Sequence, residues 1–441
     1  MPEVISLFEH QTLPYREIPG FPADLAARER VLEQIEHINR EAGLEILHLG
    51  RKDLLANALV GVLRAGDFTF EILPKIDWEG SGNAPQTSPR QSAVRNLLVM
   101  LSYASHIPIY DQATAALEEQ INPWFELLTR LFALDLHRQV QAGLSQQYIS
   151  QEDFLPVLRG RWNVQRQITR HGQTQHRFDV QYDVLSPDIP LNQVLRFVVD
   201  QLSGLTQDAE NRALLGDITN LLRLVTLLPE INPALLEAIH FTRLNNRFQP
   251  SYQLARLFLS GRTVQMSAGH TPAHAFVLDM NVLFEHFVIA FIMRHRESIL
   301  PPDWQSAVCI EQSAGFPLFL GHSQGKPVLR LKPDLIVSLK KETIPLLIAD
   351  MKYKRLAPGD RRLGASQADI YQMLAYGLQS GCSRSLLLYP QTAGSAPVRR
   401  KLTIDRVGMQ MLLTSLNLRI PLLPPEPLIQ ELGEIFKLIS V

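Results

Sequence analysis

Three residues in the C-terminal third could do phosphoryl chemistry if they were brought together: Asp334, Asp350 and Lys352. Two carboxylates held side by side repel each other and favour a cation between them, and a neighbouring lysine can orient water or offset charge on a phosphate. Whether they meet depends on the elements that carry them. PVLRLKPDLIVSL (327–339) and IPLLIADMKYK (344–354) are apolar, branched runs separated by the polar turn KKET, the pattern of an antiparallel hairpin. With that turn centred on Glu342, Asp334 falls directly opposite Asp350, β-carbons about 4.5–5.5 Å apart. Asp350 and Lys352 lie two apart on one strand and so project from the same face. A slip of one residue would part the aspartates, and the sequence alone leaves both registers open.

Two flanking segments read as helices. VLDMNVLFEHFVIAFIMRHRE is apolar nearly all round, yet Glu285 lies on a stripe with Val282, Val288, Ile289 and Ile292. An unpaired carboxylate buried there would cost several kcal/mol, so an enclosed Glu285 would need a metal, a base or a raised pKa. The plainer alternative is a half-buried helix with Glu285 at its rim. After the hairpin, Ser366 and Asp369 stand as N-cap and N3 of a capping box, AYGLQSG ends the helix, and RSLLLYP reads as the next strand. Gln372 and Tyr376, four apart, stack on one face of that helix. Without the hairpin they would read as a surface amide and an ordinary half-buried aromatic.

The order helix with Glu285, strand with Pro333-Asp334, strand with Asp350-Met351-Lys352, helix with Gln372-x-x-x-Tyr376 resembles the PD-(D/E)xK nuclease superfamily. Its last element matches the RecB-like branch. The resemblance extends further. ISLFEHQTLP, VLRAGDFTFEILPKI, NLLVMLSYA, LRGRWNVQRQ with FDVQYDVLSPDIPLNQVLR, DMNVLFEHFV and YQMLAYG together resemble the McrC family over most of the chain. That resemblance implies the nuclease subunit of an McrBC system, which restricts DNA carrying 5-methylcytosine. It also implies a partner, a GTP-hydrolysing McrB-like AAA+ ring whose hydrolysis the subunit stimulates. Asp334 and Asp350 would then hold one or two Mg²⁺ ions, with Glu285 directly or through water and the Met351 carbonyl as a neutral ligand. Mn²⁺ would suit the same hard oxygen donors. Lys352 would position or deprotonate the attacking water, while Gln372 and Tyr376 would orient substrate or the lysine.

Composition sets the remaining bounds. A chain of 441 residues, 46% hydrophobic and 20% charged, has room for two or three cores. Its longest apolar run, Phe287 to Met293, is too short for a bilayer and the opening MPEVISLFEH has no basic leader, so a cytoplasmic protein without a membrane partner is expected. Cys309 and Cys382 cannot make a disulfide framework or a cysteine-rich metal site. A net charge of −1 excludes coating nucleic acid through bulk electrostatics. One local exception exists: between Lys326 and Arg362, ten basic residues face only Asp334, Glu342, Asp350 and Asp360. A solvated basic loop would be the ordinary reading of such a run.

The expected fold class is α+β in three parts. Residues 1–78 alternate β-like runs with one helix ending at Gly43, a small mixed domain that the McrC resemblance makes a candidate for contacting the motor. The polar segment 79–91 reads as a linker. Residues 92–270 are mainly helical, one helix opening at Asn122 and Pro123 and closing at Gly143, with strands expected at YIS, WNVQRQI and FDVQYDV. Residues 271–441 would form a restriction-endonuclease-like α/β domain. Other motifs fail. GHSQGKP (321–327) is one residue too short for a phosphate loop and has Pro327 in place of its hydroxyl, so no nucleotide hydrolysis by this chain is expected. Ser338-x-x-Lys341 has no companion motif, and His270 with His274 has no third ligand in sequence. Two further functions stay open: a stand-alone RecB-like repair nuclease, against which stand the missing cluster cysteines and helicase segment, and a non-catalytic regulatory subunit of a motor, against which stands the complete set of acids and lysine.

Overall fold

The computed structural model describes residues 3–22, 24–77, 89–105, 123–171, 176–260, 262–266, 273–311, 318–323, 326–339, 342, 344–354, 356, 365–392 and 395–440. They fall into two compact units, Met1–Phe125 with Ser260–Val441, and Glu126–Leu259. The fold is α+β, as expected from the sequence.

In the first unit, β1 (Glu3–Phe8), β5 (Val60–Ala65), β6 (Phe68–Leu73), β10 (Arg262–Met266) and β11 (Ala273–Leu278) make one sheet in the order β1-β6-β5-β11-β10. A two-residue turn joins β5 to β6, and Gly66, at φ +59°, takes the left-handed conformation that such a tight hairpin needs. Beside it β2 (Thr12–Pro14), β4 (Asp53–Ala56) and β3 (Leu47–Leu49) form a small sheet. Helix α1 (Leu25–Ala42) starts where the Asp24 side chain accepts the Ala27 N–H at 2.9 Å and ends at Gly43 in the left-handed region. Its Val31, Ile35 and Ile38 share a core with Ile5, Leu63, Phe70, Ala275 and Val277.

That core redraws the expected domain limits. β5 pairs antiparallel with β11 from Val60↔Leu278 to Arg64↔His274, so the divide expected at 270/271 falls inside the β10–β11 pair of a sheet that residues 1–78 help to build. Strand pairing needs no proximity in sequence, which is why period alone could not place β11. Gly61 permits the close approach: a β-carbon there would lie 2.4 Å from the Phe276 carbonyl oxygen. Of the expected linker, 79–88 lie outside the described residues and 89–91 open helix α2 (Pro89–Ala104). Asn122 also lies outside them. Helix α3 (Trp124–Gln141) begins one residue after Pro123, and Gly143 follows its end at φ +110°.

The second unit is mainly helical. Besides most of α3 it contains α5 (Pro190–Leu205), α6 (Ala209–Leu221), α7 (Pro233–Glu237) and nearly all of α8 (Gln249–Ser260). Glu126 is buried and accepts from Thr206, the Gln207 N–H and Asn211 at 2.5–2.9 Å. Strands β7 (Gln147–Leu155), β9 (Phe178–Ser186) and β8 (Arg161–Trp162) form its sheet. WNVQRQI is not a strand beyond Trp162. Asn163 accepts the Arg166 N–H at 3.1 Å, and Val164–His171 is a helix, α4. The Asn cap outweighs the β propensity of Val164 and Ile168, whose separation of four also fits one helix face.

The candidate site belongs to the six-stranded sheet of the first unit. Its strands run β12 (Ala307–Glu311), β15 (Leu335–Leu339), β16 (Leu347–Met351), β17 (Arg384–Pro390), β19 (Met409–Leu416) and β18 (Arg399–Ile404). β15 and β16 are antiparallel, whereas β16, β17 and β19 are parallel. Central strands covered on both sides carry near-continuous apolar runs, as β15, β16 and β17 do. Helix α10 (Gln367–Ser380) contributes Met373 and Tyr376 to a core with Ile336, Ile348, Leu387 and Leu413. Helices α9 (Met280–Ile299) and α11 (Glu426–Ser440) also pack on the sheet, α9 against β16 and α11 against β17 and β19.

The long run 327–339 is broken. Its first part is β14 (Lys326–Leu331), which pairs with β13 (Leu318–Ser323) in a separate ribbon; the chain then leaves strand geometry at Lys332-Pro333-Asp334 before entering β15. Pro333 has no N–H for a ladder, so the break falls where the sheet could least use the residue. Of GHSQGKP, Gly321–Ser323 end β13 and Lys326 and Pro327 open β14, while 324 and 325 lie outside the described residues. No described helix is long and apolar enough to cross a membrane. Cys309 and Cys382 are buried free thiols, both pushed up to about 11 by burial.

Candidate active site

The hairpin has the register that a turn on Glu342 implies. Leu335 faces Ala349, Ile336 faces Ile348 and Val337 faces Leu347; Asp334 lies just before the first of these pairs and Asp350 just after its partner. The alternation of a strand puts 336, 348 and 350 on one face, the face that α10 covers through Met373 and Tyr376. Asp334 Oδ2 accepts the Met351 N–H at 2.7 Å. The Lys352 ammonium, just past the end of the strand, lies 2.5 Å from Asp350 Oδ2. That contact is an ion pair of imperfect hydrogen-bond geometry, and Asp350 Oδ1 has no hydrogen-bond donor among the described residues.

Burial makes this arrangement electrostatically tense. Asp350 is fully buried and Asp334 is 8% exposed. Burial first, and then the Asp350 charge, push the Asp334 carboxyl up to about 8. Burial likewise raises Asp350, against the pull of Lys352. For Lys352, burial would lower the pKa, but the charges of Asp350 and Asp334 outweigh it and hold the ammonium above its ordinary value. Two desolvated carboxylates that favour protonation, one with an oxygen lacking any donor, form a pair of hard oxygen donors suited to a divalent cation. Among the described residues no three His, Cys, Asp or Glu side chains close into a ready ligand cage. The pair would therefore need main-chain or water oxygens, or a shift of Glu285, to complete a coordination shell.

Glu285 is half-buried on α9, the rim position and not the enclosed one. Val282 is 47% exposed, whereas Val288, Ile289 and Ile292 are buried, so the apolar stripe turns away from the side that carries Glu285. Its charge nevertheless acts on both Asp334 and Asp350, raising each. Gln372 and Tyr376 meet as their spacing predicts: the Gln372 amide donates to the Tyr376 hydroxyl at 2.6 Å. The tyrosine is buried and donates in turn to the Lys332 carbonyl at 3.1 Å, holding the turn that presents Asp334. It acts on the main chain of the site and not on the carboxylates. The cap of α10 also forms, with Ser366 accepting the Asp369 N–H at 3.1 Å.

Two polar clusters around the hairpin went unseen in the sequence. In the first, buried Asp369 accepts from Lys354 at 2.8 Å and from the Tyr389 hydroxyl at 3.1 Å. Burial raises its pKa, but Lys354, Ser366 and Tyr389 together outweigh that and hold it below the usual carboxylate range. Spacing could mark Asp369 only as a cap; its ion-pair partner is 15 residues away across a segment without period. In the second, Tyr353 is bound by Glu9 and Lys75 from the N-terminal sheet. Of the basic run, Lys340, Lys341, Arg355, Arg361 and Arg362 lie outside the described residues, while Lys326 and Arg330 on β14 and Lys332 just after it are exposed.

A family model described as McrBC 5-methylcytosine restriction system component matches residues 54–390, well over half of the chain. The chain belongs to the McrBC family. The McrBC match runs through both large sheets of the first unit, from β5 of the N-terminal sheet to β17 beside the candidate site. No curated protein sequence matches the chain. Its fold is similar to a chain of the Thermococcus gammatolerans assembly of McrB AAA+ hexamers with bound McrC, at TM-score 0.63 and 21% identity, covering 98% of this chain and 100% of that one. A second likeness, to the cryo-EM structure of the Thermococcus gammatolerans McrBC complex, has TM-score 0.49 and 24% identity, covering 67% of this chain and 88% of that one. The McrC resemblance read from the sequence thus agrees with the family match and with the fold of the first of these structures.

Proposed function

We propose that this McrBC-family chain is the Mg²⁺-dependent endonuclease subunit of its restriction system, cutting methylated DNA together with a GTP-hydrolysing AAA+ ring whose hydrolysis it stimulates. The observation that carries the reading is the buried Asp334–Asp350 pair with Lys352 on the same face. Such a pair is costly to a fold and is useful for holding a cation against a phosphate. Asp334 and Asp350 would hold Mg²⁺ or Mn²⁺, the Met351 carbonyl and Glu285 completing the set. When bound, the cation supplies Lewis acidity to the phosphate and a lowered pKa for water.

The chain's own groups divide the remaining work. Lys352 stabilises charge on the phosphate and positions or deprotonates the attacking water. Gln372 and Tyr376 fix the 332–334 turn and hence the aim of Asp334. Lys326, Arg330 and Lys332 give the DNA backbone a basic approach to the carboxylates, which accounts for a local positive run in a chain of net charge −1. The structure likeness to an assembly of McrB hexamers with bound McrC supports the ring as partner. Reconstitution tests the whole reading: methylated DNA should be cut only when this chain, the ring, GTP and Mg²⁺ are all present. Efficient cutting by the chain alone at physiological salt would instead favour a stand-alone nuclease.

A further inference from the structure

The strand that carries Asp350 ends at Met351, and the residues after it are not held by a ladder. The Lys352 N–H still reaches the Leu388 carbonyl at 2.9 Å, but beyond it the Lys354 N–H bonds only back to the Lys352 carbonyl at 2.8 Å. Tyr353, between them, is 4% exposed and is gripped from the N-terminal sheet. β1 and β6 run parallel and in register up to Phe8↔Leu73, so Glu9 and Lys75 emerge from adjoining strand ends. The Lys75 N–H donates to Glu9 Oε2 at 2.9 Å, and the same oxygen accepts the Tyr353 hydroxyl at 2.6 Å. The Lys75 ammonium lies 4.0 Å from the centre of the Tyr353 ring and donates to the Tyr353 carbonyl at 3.3 Å. Phe284, the neighbour of Glu285, packs its ring 5.9 Å from that of Tyr353.

Both charged residues are buried, Glu9 fully and Lys75 to 3% exposure. Apolar side chains would fill the same space at lower desolvation cost. What the polar pair adds is direction: one contact fixes the end of the Tyr353 side chain, another its main chain, and a third its ring face. The residue so fixed is covalently next to Lys352. Small displacements of a group that orients a reactant cost one to two orders of magnitude in rate, so a clamp at this point has a large effect on chemistry.

We propose that Glu9, Lys75 and Tyr353 are positioning residues for DNA cleavage, with the N-terminal sheet clamping the strand exit that aims Lys352. The inference rests on the reading of Asp350 and Lys352 as the cleavage site. It makes the first 78 residues part of the nuclease itself, whatever they also contribute to contact with a partner. They cannot be removed as a separate module.

The test uses the full chain with its ring, GTP, Mg²⁺ and methylated DNA. Tyr353→Phe keeps the ring and removes the hydroxyl; Lys75→Met keeps the stem and removes the ammonium. Each should lower kcat by about 10- to 100-fold, with KM for DNA and the stimulated GTP hydrolysis unchanged. Glu9→Gln retains an acceptor oxygen and should recover most of the rate. Hydrogen exchange at the Lys352 amide should quicken in Tyr353→Phe. Tyr15→Phe, which loses a hydroxyl contact to the Gly50 carbonyl in the same N-terminal region, is the control and should cut normally. Wild-type cleavage by Tyr353→Phe and Lys75→Met, beside an inactive Asp350→Asn, would overturn the clamp while leaving the site intact. Wild-type cleavage by Asp350→Asn would overturn both.

Discussion

Asp334→Asn should make the metal-free protein more stable at pH 8, not less. Burial and the Asp350 charge push the Asp334 carboxyl from 3.8 up to about 8. An acid raised in this way contributes stability that is fully present below its unfolded pKa and is lost as pH climbs towards the folded one. Every tenfold change in proton affinity corresponds to about 1.4 kcal/mol, so the ionised group costs at most on the order of 5 kcal/mol, shared with its coupling to Asp350. Asparagine keeps an oxygen for the Met351 N–H and carries no charge. A gain of about 2 kcal/mol at pH 8 is a conservative expectation, with the difference from wild type vanishing near pH 4. Thermal unfolding in EDTA across this range measures it. Mg²⁺ at pH 8 should then raise the wild-type midpoint and leave the variant's unmoved. A variant less stable than wild type at pH 8, or one with the same pH slope, would refute the view that the pair is strained without a cation.

Two further outcomes are expected from the same geometry. Lys352→Met removes the only cation within 4 Å of the Asp350 carboxylate among the described residues, and should cut DNA at least about 100-fold more slowly while still binding Mg²⁺ by calorimetry. Retained cutting would remove the lysine from the site. Replacing Lys326, Arg330 and Lys332 with Gln should weaken DNA binding on all sequences alike and reduce the salt slope of log affinity by up to about 0.9 for each lost phosphate contact; an unchanged slope would place the DNA elsewhere.

The site was largely legible because its geometry is local. A polar turn, two apolar runs and the period of a strand bring Asp334 to Asp350 and Lys352, and a period of 3.6 brings Gln372 to Tyr376. The fold was legible where pattern is local too, as in α1 with its Asp24 cap and Gly43 end. It was hidden where pairing is distant: β11 pairs with β5 although the whole second unit lies between them in sequence, and Tyr353 meets Glu9 across 344 positions. Glu285 shows a different limit. Hydrophobic period put it on a buried stripe, but Val282 is exposed and the buried face is rotated towards Val288 and Ile292, leaving the carboxylate at a rim. Pro333 was read as part of a motif when it also ends β14 and so frees the turn that Tyr376 holds.

The most direct test is Asp350→Asn in the assembled system, because it removes one buried charge from the pair and leaves every element of the fold in place. Ring stimulation and strand breakage should be followed in the same reaction on methylated DNA. The expected result is GTP hydrolysis stimulated as by wild type, with no DNA ends formed at any Mg²⁺ concentration. DNA ends appearing at the wild-type rate would contradict the assignment of Asp334, Asp350 and Lys352 as the cleavage site.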